Sequence, residues 1–303
     1  MKIKTIILIL QCIWSYFLPA QTLEKLDYSC AFRSSELLFE GERVSGISGI
    51  EYSGEGNLYY AVSDLSPAHY YIFDIQTSNC KIEVKEKVVL IAHPEDTTRP
   101  ESIRFHLKTK EIYLVTEEDQ ASRLLVFSPE AKMLFQQINP RDNSGFEGLT
   151  FSPNGERLFI GIEGFPKVGC KKQQYTQLIA YNPSSGVERR IQYPVTKIKH
   201  DKHRVNGVTE ILAFDNSTLL FLERAYLGKR RGVTTGIFKA TIPPEESKFI
   251  TNKQQLFSSK SLPFQIDNAE GMTWNADKKY LIVVTDNNGR TRQETQIIVL
   301  KVE

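Results

Sequence analysis

Apolar and polar positions along the chain recur in one phrase: an acid or serine, a small residue, an aliphatic, a variable residue, an aromatic, then a second acid closing the next apolar run. The five copies open as SGIEY at Ser48, ESIRF at Glu101, EGLTF at Glu147, EILAF at Glu210 and EGMTW at Glu270. The runs that follow close as YAVSD at Asp64, YLVTE at Glu117, FIGIE at Glu163, LLFLE at Glu223 and IVVTD at Asp286. First position and closing acid are 16 residues apart in four copies and 13 in the fourth, whose hairpin reads as shorter. Turn-forming residues join the two runs, as at Ser53-Gly-Glu-Gly56, Ser152-Pro-Asn-Gly155 and Asn275-Ala-Asp277, the signal of a hairpin. Two more apolar runs follow in each unit, such as Tyr70 to Ile75 and Lys81 to Ile91, or Gln177 to Tyr181 and Glu188 to Tyr193.

Four short antiparallel strands over roughly fifty residues, repeated with no amphipathic helix, predict a β-propeller. The first positions lie 53, 46, 63 and 60 residues apart, too close to hide another blade. Five four-stranded blades follow, with six as the alternative if the N-terminal stretch forms more than one strand pair. The last unit shows three strands, ending at Thr295 to Val302, so the segment from Leu26 to Phe39 is expected to supply the fourth and close the ring.

Antiparallel neighbours bring the start of one strand beside the end of the next. The first position and the closing acid therefore belong to the same mouth of the central channel, which gathers nine carboxylates. They are Glu101, Glu147, Glu210 and Glu270 from the inner strands, with Asp64, Glu117, Glu163, Glu223 and Asp286 from the second strands. The aromatics Tyr52, Phe105, Phe151, Phe214 and Trp274 are expected to pack between blades. Like charges at that density must be protonated, paired with a base or bridged by a cation, and an oxygen-rich site favours Ca²⁺. The candidate cation ligands are Asp64, Glu101, Glu147, Glu163, Glu223 and Asp286. Taken singly, each acid could instead cap a turn. The same mouth should carry the basic segment from Lys197 to Arg204 and, after the fourth closing acid, Arg224 with Lys229, Arg230 and Arg231. Beside the acids these suit a phosphorylated substrate, with Arg204, Lys229, Arg230 and Arg231 as anion-binding candidates; the plainer reading is a solvated charged loop. Asn143, Asn206 and Asn268, upstream of their strands, could add neutral ligands or form turns.

Composition changes this picture little. The chain has 303 residues, 41% hydrophobic and 24% charged, with a net charge of +2, which makes no case for nucleic acid. Residues 1–20 read as a secretory leader, with Lys2 and Lys4 ahead of an apolar stretch too short and interrupted for a comfortable span. The mature domain is then residues 21–303, secreted or periplasmic, with no membrane span and expected as a monomer. Cys30, Cys80 and Cys170 remain after the leader, allowing one pair, for which Cys30 with Cys80 is the expectation because Cys170 sits in a long loop.

The repeat carries further motifs: Gly46-Ile-Ser-Gly-Ile50, Pro100-Glu-Ser-Ile103, Asn143-Ser-Gly-Phe-Glu-Gly-Leu149, Leu222-Glu-Arg224 and Thr285-Asp-Asn-Asn288 with Gln293. In this order they resemble the secreted phytase-like family described as having esterase-like activity of phytase, over residues 43 to 302. The resemblance implies a propeller acting as a Ca²⁺-assisted phosphoester or carboxylester hydrolase. It makes Glu147, Glu210 and Glu270 metal-ligand or base candidates, Arg224 the group holding the anion, and Asn288 a substrate-binding candidate. The departure is at Thr209-Glu-Ile211, where the small residue after the acid is replaced by Ile211. A serine hydrolase is disfavoured, since the sequence around Ser48 lacks the second glycine of a nucleophile elbow. The five histidines form no zinc signature. Against the hydrolase stands a non-catalytic propeller that binds a ligand or partner at the same mouth, with a structural metal or none.

Overall fold

The structure, a computed structural model, describes residues 22–90, 99–106, 108–117, 121–130, 133–140, 145–164, 173–183, 185–198, 205–228 and 232–303. The N-terminal segment forms β1 (Leu26–Arg33) and a two-residue hairpin, β2 (Leu38–Phe39) and β3 (Glu42–Arg43). Blade one is β4 (Ile47–Tyr52), β5 (Leu58–Ser63), β6 (His69–Gln76) and β7 (Lys81–Val89), and blade two is β8 (Pro100–Phe105), β9 (Ile112–Glu117), β10 (Ala121–Phe127) and β11 (Met133–Pro140). Blade three is β12 (Phe146–Phe151), β13 (Leu158–Ile162), β14 (Tyr175–Tyr181) and β15 (Glu188–Pro194). Blade four is β16 (Val205–Ala213), β17 (Thr218–Tyr226), β18 (Val233–Thr241) and β19 (Gln254–Ser258). Blade five is β20 (Asn268–Trp274), β21 (Tyr280–Asp286) and β22 (Gln296–Val302), completed by β1 from the other end of the chain.

Every blade is an antiparallel meander, and the inner strands β4, β8, β12, β16 and β20 neighbour one another in a closed ring. The count is therefore five, because the extra N-terminal strands make only the short β2–β3 pair. The closing strand is β1, paired with β22 from Leu26 opposite Val302 to Arg33 opposite Gln296. A disulfide joins Cys30 on β1 to Cys80 in the β6–β7 turn, as expected, fastening blade five to blade one across the seam. Residues 1–20, expected as a leader, and Cys170 lie outside the described residues.

Both faces of most strands are covered by neighbouring blades, which is why runs such as Leu281 to Val284 are continuously apolar rather than alternating. The core is accordingly divided into layers between blades. One layer sets Leu220, Leu222 and Ile237 of blade four against Met272, Trp274 and Val283 of blade five. Another sets Ile50, Ala61 and Phe73 of blade one against Val284, Ile297 and Val299 of blade five. The outermost strand of blade one, β7, carries Lys81, Glu83, Lys85 and Lys87 on an exposed edge, a pattern that discourages edge pairing. No helix among the described residues is long and apolar enough to cross a membrane.

Two devices bring the inner strands unusually close. The small residue of the repeat is one: a side chain added at Gly148 would come within 2.6 Å of the Ile211 nitrogen, and one at Gly271 within 2.9 Å of the Gly49 Cα. The other is Arg104, fully buried in the channel. Its guanidinium donates to the carbonyls of Ile50 (3.1 Å), Ile103 (2.6 Å) and Ile211 (2.9 Å), tying blades one, two and four at one level.

Candidate functional site

All five inner strands carry a β-bulge just inside one mouth of the channel. The register against the second strand shifts at Ser48, Glu101, Glu147, Thr209 and Glu270. A bulge leaves one residue out of the ladder and re-aims its side chain, here toward the mouth. Beside each bulge, at the matching place on the mouth side of the second strand, stand Asp64, Glu117, Glu163, Arg224 and Asp286. The amides of Asp64 and Glu117 bond the carbonyls of Gly46 (2.8 Å) and Arg99 (3.1 Å), while Arg224 pairs with Gly207 and Asp286 with Asn268.

Blade four thus departs from the expected alignment by one residue. Ile211, whose carbonyl meets Arg104 as those of Ile50 and Ile103 do, corresponds to those aliphatics. Glu210 therefore stands where the other blades have Gly49, Ser102, Gly148 and Gly271. The bulge falls on Thr209, and the closing position belongs to Arg224 instead of Glu223. Glu210 has no exposure and points into the channel, where it accepts from Ser102 Oγ (2.9 Å), Leu149 N (3.0 Å) and Ile211 N (2.8 Å) and pairs with Arg104 (3.1 Å). Burial pushes its carboxyl up to about 7 against the pull of Arg104. Glu223 turns toward blade three, bound by Tyr193 Oη (2.9 Å), Thr196 N (3.2 Å), Asn206 Nδ2 (3.3 Å) and Lys253. The two remaining bulge residues are satisfied sideways: Ser48 Oγ donates to the Pro100 carbonyl (2.6 Å) and Thr209 Oγ1 to that of Ala269 (2.9 Å).

Of the nine expected acids, removing Glu210 and Glu223 leaves seven in the ring: Asp64, Glu101, Glu117, Glu147, Glu163, Glu270 and Asp286. Arg224 enters among them, donating from Nη1 to Glu270 (2.6 Å) and Asn268 Oδ1 (2.6 Å) and from Nη2 to Glu163 (2.9 Å). One oxygen each from Glu117, Glu147 and Glu163 lie within 4.8 Å of one another. Asp64 Oδ1 is buried with no hydrogen-bond partner among the described residues.

The electrostatics follow from burial and crowding. Burial, then the neighbouring carboxylates, hold Glu101 and Glu147 well above the ordinary carboxylate range. Glu163 is pushed up to about 7 and Glu270 to about 8, in each case by burial with Arg224 opposing. Asp286 is pushed up to about 7 by burial and by Asp64. Such a cluster binds protons or a cation. Oxygens sharing one Ca²⁺ at about 2.4 Å lie no more than about 4.8 Å apart, so the Glu117–Glu147–Glu163 set fits a hard cation by both spacing and donor type.

Of the other predicted residues, Asn268 joins the site through Arg224 and Glu270, and Asn206 goes instead with Glu223. Asn288 is exposed, and its backbone N–H donates to Asp286 Oδ1 (2.7 Å). Arg204, Lys229, Arg230, Arg231, Asn143, His200 and His203 lie outside the described residues. Sequence reasoning missed Arg104, which fills the variable position of the phrase. It also left Glu117 out of the candidate cation ligands.

A family model described as Phytase-like, esterase-like activity of phytase, matches residues 42–289. Among solved structures, a luciferin-regenerating enzyme is similar at a TM-score of 0.52 and 9% identity, over 90% of this chain and 95% of that one. The Pseudomonas aeruginosa periplasmic gluconolactonase PpgL is similar at a TM-score of 0.42 and 9% identity, over 86% of each chain. At such identities the likeness concerns the fold alone. No curated protein matches the chain.

Proposed function

The chain belongs to the phytase-like family, and from that premise we propose that it hydrolyses a phosphoester or carboxylester at the acid-ringed mouth with the help of a bound cation, Ca²⁺ first. The observation that carries this reading is the convergence of Glu117, Glu147 and Glu163 beside Arg224. Those three carboxylates would hold the cation, with Asp64, Glu101 and Asp286 close by in the same ring. When bound, Ca²⁺ supplies positive charge against the oxygens on which negative charge gathers as the ester bond breaks.

The chain's own groups divide the remaining work. Arg224, part-exposed, opposes the burial that raises the Glu163 and Glu270 carboxyls and turns a fixed positive charge toward an anionic substrate. Glu101 has no hydrogen bond to Arg224 and is held above the ordinary range by burial and by Glu270. With its hold on a proton strengthened in this way, it is the group suited to moving one at the substrate oxygen. Glu210, consumed by Ser102, Leu149, Ile211 and Arg104, is a positioning residue of the channel rather than a base. The leader over residues 1–20 and the Cys30–Cys80 bond support a secreted or periplasmic setting.

The test is a hydrolysis screen of p-nitrophenyl phosphate, phytate, p-nitrophenyl acetate and p-nitrophenyl butyrate, with Ca²⁺ and with chelator. Turnover of at least one ester class is expected, lost with chelator. Glu147→Gln should abolish the Ca²⁺ response, and Glu101→Gln should lower kcat by about 10²-fold or more and flatten the pH profile. Ca²⁺ binding without turnover of any ester would leave the site a binding mouth and overturn the hydrolase reading.

A further inference from the structure

At the opposite end of the channel the inner strands open into a cavity of about 380 Å³. Four of them contribute an aromatic wall at the same level: Tyr52, Phe105, Phe151 and Trp274. The register of blade four puts Ala213 at the fifth place instead of Phe214, and the small side chain leaves room where a fifth ring would stand. The walls are held from behind. Phe105 packs edge-on against Tyr60 at 5.3 Å, Phe151 against Tyr113 at 4.9 Å, and Trp274 Nε1 donates to the Ala213 carbonyl at 3.0 Å. A preformed, largely carbon-walled cavity of this size is what small-molecule sites look like.

Glu51 and Thr273 supply the polar pair at the floor, and His106, Lys108, Asn154, Asn275 and Lys278 also line the cavity. Glu51 Oε2 accepts from Thr273 Oγ1 (2.9 Å) and lies 3.7 Å from Arg104 Nη1, while the side chain keeps 18% exposure. Arg104, shared between Glu51 and Glu210, offsets part of the negative charge with which the floor could hold a cation. Lys108 and Lys278 on the lining add positive charge that would oppose one. An anion reaching the floor would in turn face the Glu51 carboxylate. What remains is a neutral ring bearing one hydrogen-bond donor at its buried end.

We propose that this mouth binds a small neutral aromatic alcohol, its ring between Phe105, Phe151 and Trp274 and its hydroxyl donating to Glu51. The site is separate from the acid ring, so the two proposals stand or fall independently.

The chain has two tryptophans, Trp14 and Trp274, so a Trp14→Phe background makes Trp274 the sole fluorescent reporter, inside the cavity. In that background 4-ethylphenol should give a saturable change in Trp274 emission and a matching calorimetric isotherm. The ether 4-ethylanisole, which lacks the donor, should bind at least about fivefold more weakly, and tyramine, which adds a positive charge, at least about tenfold more weakly. Glu51→Ala should erase the preference for the alcohol over the ether. Since Glu51 also faces Arg104, the three ligands on the unmodified carboxylate decide the matter if that variant does not fold. No saturable signal from 4-ethylphenol, or equal binding of alcohol and ether, would overturn the proposal.

Discussion

The two mouths of the channel are built from opposite ends of the same five strands, yet they solve the placement of polar groups in opposite ways. At the acid mouth seven carboxylates crowd round Arg224, which pairs with Glu163 and Glu270, and six of them are raised, first by burial. At the aromatic mouth one carboxyl, Glu51, is raised by burial, and the groups around it have partners. Glu51 is bound by Thr273, Trp274 Nε1 by the Ala213 carbonyl, and Lys278 Nζ by that of Phe214 at 2.7 Å. One end is thus stabilised by taking up charge, and the other by taking up carbon surface. A fold that is locally consistent elsewhere can carry one conflicted cluster, and such clusters mark functional sites.

Arg104 is the divider, and removing it should give the largest effect. It pairs with Glu210 on one side and approaches Glu51 on the other while holding four backbone carbonyls, those of Ile50, Ile103, Ile211 and Met272. Arg104→Met leaves Glu210 buried without its partner, so a loss of about 3–5 kcal/mol in urea unfolding is expected. Arg104→Met with Glu210→Gln should recover part of it, because the uncompensated charge is gone. A loss under about 1 kcal/mol in the single variant would mean that the two mouths are not joined through this side chain.

Next in size is the response of the acid mouth to pH and cation. Carboxyls raised in the folded state hold protons that the unfolded chain has released, so the folded form binds more protons between their unfolded and folded pKa values. Stability without Ca²⁺ should therefore be greatest below the ordinary carboxylate range, under about pH 4, as far as this cluster is concerned. It should fall as pH rises through about 7 for Glu163 and Asp286 and about 8 for Glu270. Ca²⁺ at a hundred times its Kd should restore about 2.7 kcal/mol at pH 8, and its affinity should rise with pH as protons are displaced. Thermal unfolding across pH 5 to 9, with Ca²⁺ and with chelator, checks both. Curves that superimpose would remove the cation from the acid mouth.

What the sequence made legible follows from what repeats. The phrase marked by Ser48, Glu101, Glu147 and Glu270 placed four blades in register, and the three-strand last unit implied closure by the N-terminal strand, which is β1 beside β22. Blade four was misaligned because the eye matched Glu210 to the other acids, whereas the bulge that aims the side chain falls on Thr209. Two signals were present: Ile211 where a small residue belonged, and a spacing of 13 instead of 16. Arg104 could not be found this way, since it occupies the position the repeat leaves variable and its backbone partners are carbonyls from four blades. The aromatics do meet across blades, as Phe105 with Tyr60 and Trp274 with Phe214. That they also wall a cavity depends on Ala213, which only the corrected register reveals.

The smallest expected effect is the one that tests that register directly. If Glu223 belongs to the ring, neutralising it should weaken Ca²⁺ as much as neutralising Glu163 does. In the structure Glu223 faces Tyr193 and Lys253 between blades three and four, whereas Glu163 meets Glu117 and Glu147. Glu163→Gln removes a ligand charge and should weaken Ca²⁺ about tenfold or more. Glu223→Gln should lower folding stability by about 1–3 kcal/mol through its lost bonds while leaving Ca²⁺ affinity within about twofold. Calorimetric titration at pH 8 on the two folded variants separates these outcomes. Equal weakening would restore Glu223 to the mouth and return blade four to the alignment its sequence first suggests.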